Sequence, residues 1–136
     1  MTKCDVYLEK YKWSVTCFIG YEPDDAVFLC QQLSSIGCSN DALREAYEHL
    51  MQGGDERGLT YSNVKDRRSV VAIGLSTTRA DMVNTVSHEL FHVVAHICEK
   101  DGIDMLSEEP CYIMGSLCEE FFIFIRTNNE TVYDRH

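Results

Sequence analysis

Only two prolines occur in 136 residues, singly at Pro23 and Pro110, and there is no internal repeat or low-complexity tract. A proline-rich linker and a modular array are therefore excluded, and one domain over residues 1–126 with a polar tail over 127–136 is expected. No stretch reaches the eighteen or so apolar residues needed to span a bilayer, and the N-terminus MTKCDVYLEKYKW has no uninterrupted apolar segment. A cytoplasmic protein without a membrane partner is expected. The seven cysteines form no CxxC pair and are odd in number, so they read as buried thiols rather than a disulfide framework. Basic residues are few: twelve Lys and Arg against twenty-two Asp and Glu give a net charge of −10. The one basic run, Lys65, Arg67 and Arg68, is too small to follow phosphates, which excludes a nucleic-acid partner.

What is present describes a globular chain, 45% hydrophobic and 25% charged. Asp5–Glu9 and Trp13–Tyr21 read as strands, the second rich in aromatic and β-branched residues. Helices are predicted over Ala26–Ile36 and Asp41–Met51, the latter capped by Ser39 or Asn40 and ended by Gly53-Gly54. Leu59–Val64 and Ser69–Leu75 form a predicted hairpin across Lys65–Arg68. A long helix follows from Thr78 or Asp81 to Lys100, with Phe91, Val94, Ile97 and Cys98 as its apolar side. A last helix runs from Ser107, as N-cap, to Ile125 or Arg126, and Pro110 in its first turn costs no hydrogen bond. The fold class is α+β. Residues 1–58 carry no functional motif.

The chemistry is concentrated in His88-Glu89-Leu90-Phe91-His92. Histidines four residues apart differ by about 40° around a helix, so both imidazoles can reach one zinc ion. Glu89, about 100° from His88, leaves the ligand set but can act as general base on a water at the ion. The alternative is a structural pair of core histidines. His96 lies about 12 Å from His88 along the axis, too far to share one tetrahedral ion comfortably, and reads as a supporting or packed residue.

A third ligand is sought on the last helix. Its apolar stripe, taken as Cys111, Met114, Cys118, Phe121, Phe122 and Ile125, leaves Glu108 at the border with Tyr112 and Gly115, and turns Glu109 away with Ser116 and Glu120. Glu108 is therefore the preferred ligand, and Gly115 would let the two helices approach. The competing role for either glutamate is a carboxylate offsetting the helix dipole.

With these residues the chain resembles the gluzincin metallopeptidases, which carry HExxH on one helix and a glutamate ligand on the next. It looks most like the small HExxH peptidases of phages and bacteria, in which a stretch like E-A-Y-A-Y-L-I-G-Y follows the first helix; Glu108-Glu109-Pro110-Cys111-Tyr112-Ile113-Met114-Gly115-Ser116 fits it in register. The resemblance spans about Ser69 to Leu117. It implies a minimal zincin-like domain in which the HExxH helix packs against a glutamate-bearing helix, with one Zn2+ on His88, His92 and Glu108. It further implies that Glu89 takes a proton from zinc-bound water in attack on the carbonyl of a peptide or protein substrate. The strand before the motif, Val70 to Leu75, would pair with that substrate along its edge. Many large gluzincins have an aspartate where this chain has Tyr112, which could serve a ligand or an oxyanion, or pack. The rival expectation is a catalytically inactive, zinc-stabilised binding or regulatory module. The HExxH proteins that cleave repressors are a more distant likeness, with the glutamate usually farther downstream.

Overall fold

The computed structural model of the chain describes residues 1–52 and 57–127. The expected helix stop at Gly53-Gly54 and the tail from residue 128 onward lie outside the described residues. Four strands, β1 (Thr2–Leu8), β2 (Trp13–Tyr21), β3 (Gly58–Asn63) and β4 (Arg68–Gly74), form one mixed sheet in the order β1-β2-β4-β3. Four helices complete the α+β architecture: α1 (Ala26–Ser35), α2 (Asn40–Met51), α3 (Arg79–Asp101) and α4 (Glu109–Thr127). Their starts follow local chemistry, since the Ser39 hydroxyl accepts from the Ala42 amide and the Thr78 hydroxyl from the Asp81 amide.

The β1–β2 and β3–β4 pairs are antiparallel, whereas β2 and β4 run parallel. That pairing places β4 between two neighbours, so it has no free edge. The expectation that the strand before the motif receives an extended substrate is thereby overturned; among the described residues the outermost strand on that side is β3. Pairing between β2 and β4 joins residues more than fifty positions apart, and strand composition carries no information about it.

Alternation along the strands divides the core between the two sheet faces. Val6, Leu8, Trp13, Val15, Cys17, Ile19, Val71 and Ile73 face α3 and α4, while Phe18, Val70 and Ala72 face α1 and α2. The register shifts between Ile19 and Tyr21, where Gly20 adopts φ 84°, and the slip turns Tyr21 into the α1–α2 layer. On that face Lys3, Asp5 and Tyr7 of β1 remain exposed.

α3 buries Met82, Val86, Leu90, Val93, Val94, Ile97 and Cys98, but Phe91 is 52% exposed and does not belong to the apolar side expected for it. On α4 the buried line is Pro110, Ile113, Leu117 and Phe121, with Met114, Cys118 and Ile125 half-buried; Cys111 and Phe122 are exposed. The predicted stripe is rotated because α4 packs against β1 as well as α3, which pulls the centre of burial toward the strand. Gly115 faces open space rather than a helix contact. Ser107 does not cap α4: its hydroxyl donates to the Asp104 carbonyl, and the Glu108 carbonyl accepts the first amides, from Cys111 and Tyr112. Cys4, Cys17, Cys38 and Cys98 are buried as expected, whereas Cys111 is exposed.

Arg67, in the β3–β4 turn with φ 56°, ties the sheet to the end of α3. Its guanidinium donates to the Tyr11 carbonyl and to both oxygens of Asp101, and it lies 5.8 Å from the centre of the Trp13 ring. The hydrogen bonds from Arg67 hold the Asp101 carboxyl below its ordinary pKa. A lowered folded-state pKa stabilises at neutral pH and loses that effect as the pH falls through the carboxylate range. Denaturant titrations should therefore find Asp101→Asn less stable than wild type at pH 7, with the difference shrinking toward pH 3. The two flanks of the motif should also separate: Leu90→Ala should cost about 2–5 kcal/mol as a buried truncation, and Phe91→Ser far less.

Candidate metal and hydrolytic site

The face that β3 turns toward α3 consists of Gly58, Thr60 and Ser62, two hydroxyls and no apolar side chain. α3 presents Thr85, Glu89 and His96 to it. A chain of hydrogen bonds crosses beneath the sheet: Trp13 Nε1–H donates to Ser69 Oγ at 2.9 Å, Ser69 meets Ser62 Oγ at 2.7 Å, and Ser62 meets His96 Nδ1 at 2.6 Å. Since indole only donates, the chain is satisfied when each serine donates onward and His96 Nδ1 accepts, leaving a neutral imidazole. Burial, followed by the neighbouring His92, lowers the His96 pKa, in keeping with that assignment. His96 thus supports the site, its ring stacked 6.3 Å from that of His92.

This chain of bonds fixes the rotation of α3 beneath β3. Glu89 comes to lie under the strand, 6% exposed. Thr60 Oγ1 donates to Glu89 Oε1 at 2.8 Å and shares that hydrogen with the Glu89 carbonyl at 3.1 Å. Gly58 makes the approach possible, because a Cβ there would lie 2.8 Å from Glu89 Cγ and Oε2 and 2.9 Å from Thr85 Cγ2. One carboxylate oxygen is thus anchored while the other, Oε2, lies 4.0 Å from His88 Nε2.

His88 and His92 emerge beyond the β3 edge, both exposed, with their Nε2 atoms 3.3 Å apart. Two Zn–N bonds of about 2.0–2.1 Å at the tetrahedral angle span roughly 3.3 Å, so the pair fits two ligands of one zinc ion. Among the described residues no three His, Cys, Asp or Glu side chains converge as a metal-holding group. The structure brings together His88, His92 and Glu89, and it does not bring Glu108 to them.

The reason is the flank on which α4 packs. Met82, Val83, Val86 and Ser87 of α3 share a slot with Cys118, Phe121 and Ile125 of α4. Val83 and His92, nine residues apart, sit about 180° from one another around the helix, so α4 lies across α3 from the histidines. α3 also continues nine residues past His92, about 13 Å, before the chain reaches the exposed Glu108. Glu109 is not turned away from the protein as the phase reading had it. It accepts from the Tyr11 hydroxyl at 2.7 Å and pairs with Lys10 at 3.0 Å, and these bonds lower its pKa. Tyr112 is 69% exposed and lines the groove between α4 and β1, on the far side of α3 from the motif.

Thr60, Gly58 and Ser62 are the residues that motif reading misses. Their signal was present as an alternation of small and hydroxyl residues at positions 58, 60 and 62, opposite a helix with polar residues at 85, 89 and 96. No protein-family model matches this chain, and neither a curated protein nor a solved structure matches it. Thr60→Val should destabilise the protein by about 1–3 kcal/mol, because it leaves a buried carboxylate short of its donor, whereas Thr60→Ser should lie near wild type in urea unfolding.

Proposed function

We propose that the chain is a zinc-dependent hydrolase of zincin type, acting on peptides, with the ion carried by His88 and His92 and with Glu89 as general base. The observation that carries this reading is the 3.3 Å separation of the two Nε2 atoms beside a buried carboxylate with one oxygen left unanchored. Zinc at such a pair would polarise a substrate carbonyl and acidify a water. Glu89 Oε2 takes the proton of the attacking water and later delivers it to the leaving amine, while the Thr60 hydroxyl keeps Oε1 in place. The histidines bind and orient the metal from the solvent side of α3.

The outer edge of β3, with which no strand among the described residues pairs, supplies a place for an extended peptide. The Gly74 amide donates to the Arg57 carbonyl at 2.7 Å, so Leu59, Tyr61 and Asn63 also turn their backbone groups toward β4, and Gly58, Thr60 and Ser62 turn theirs outward. His49 Nε2–H takes the outward Gly58 carbonyl at 2.6 Å. The groups of Thr60 and Ser62 point along the edge beside Glu89, and a peptide strand can pair with them. This role, expected for Val70 to Leu75, passes to β3.

Elemental analysis after dialysis against zinc and then metal-free buffer should find about one zinc per chain, lost in His88→Ala and His92→Ala and retained in Glu108→Ala. Glu89→Gln should keep the metal and lose peptide hydrolysis. A chain that retains no zinc ends the reading. Zinc binding that raises thermal stability with no hydrolysis of any peptide favours the binding module instead.

A further inference from the structure

The edge of β3 borders a second depression, on the sheet face away from the histidines. A groove of about 340 Å³ runs between α2 and β3, floored by Cys38, Ala42, Ala46 and Leu59, with Glu45 and His49 one turn apart along its α2 wall. Thr60 also lines it, although its hydroxyl is directed to Glu89 on the other face, so the groove opens at the strand's outer edge. His49 is held there by its bond to the Gly58 carbonyl. Glu45 is exposed and has no ion-pair partner among the described residues.

A peptide added to the β3 edge alternates its side chains between the two faces of the sheet. When one residue is directed toward Glu89 and the histidines, its neighbour is directed into the α2 groove. Small apolar side chains on the floor suit an aliphatic stem, and a carboxylate on the wall suits a cation at the end of that stem, which together describe Lys or Arg. The net charge of −10 draws basic peptides toward the protein. We infer that the groove between α2 and β3 is a specificity pocket for a lysine or arginine side chain of an extended peptide, selected by Glu45. This deepens the hydrolase reading and rests on it for the nature of the ligand.

The test uses the zinc-loaded full chain and fluorescein-labelled peptides Ala-Ala-X-Ala-Ala, capped at the C-terminus, with X as lysine, arginine, norleucine or glutamate. Binding is read by anisotropy and cleavage separately by chromatography. Lysine and arginine peptides should bind roughly fivefold more tightly than norleucine at low salt, the size of an exposed ion pair. Glu45→Gln should abolish that preference, Glu45→Lys should transfer it to the glutamate peptide, and Glu48→Gln, elsewhere on exposed α2, should preserve it. Equal affinity for lysine and norleucine, a lysine preference that survives Glu45→Gln, or no binding of any peptide overturns the pocket. A Glu45-dependent preference without cleavage upholds the pocket and removes the hydrolase, whereas cleavage without preference for a basic residue does the reverse.

Discussion

A carboxylate can be buried beneath a β-sheet only where the strand above leaves it room and supplies a donor, and Glu89 under β3 meets both conditions through Gly58 and Thr60. Much of the site's geometry follows from that contact. A Cβ at position 58 would press on the Glu89 side chain, and an apolar residue at 60 would leave Oε1 without its donor. The hydrogen-bonded run from Trp13 through Ser69 and Ser62 to His96 fixes the same helix from its other half, so α3 is held against β3 at two points about two turns apart. Rotation of α3 is thereby set by polar contacts, and its apolar residues fill the space that remains.

Setting that rotation places the two histidines outside the sheet edge. With Glu89 directed at β3, His88 lies about 100° away and His92 about 60° away, on the flank facing solvent. The opposite flank is free to meet α4, and the apolar residues of α4 bury themselves between it and β1. A single orientation of α3 therefore opens the histidines to ligand and commits the last helix to the other side. Glu109, bound to Tyr11 and Lys10, fixes the start of α4 against the β1–β2 turn and keeps Glu108 away from the motif.

Most elements were legible in the sequence because their boundaries are written in local chemistry. Ser39 caps α2, one of the two caps expected there, the helix expected from Thr78 or Asp81 starts at Arg79, Trp13–Tyr21 is a strand throughout, and the hairpin of β3 and β4 forms across its predicted turn. The convergence of His88 and His92 was legible too, since a helix repeats every 3.6 residues whatever surrounds it. The orientation of α4 was not. A stripe drawn through Cys111, Cys118 and Phe122 assumes one packing partner, and with β1 as a second the buried line moves to Ile113 and Leu117, carrying Glu109 toward the protein and Tyr112 to the α4–β1 groove.

The sequence by itself determined an α+β chain with two imidazoles and a carboxylate clustered along one helix, because backbone hydrogen bonding between near neighbours sets that spacing. Tertiary structure alone decided that β4 is interior and β3 is the edge, that Thr60 and Gly58 receive Glu89, and that Glu108 stands apart from the histidines. These are relations between elements far apart in the chain. They are settled by which faces can be buried together, and each residue's neighbours in sequence leave that open.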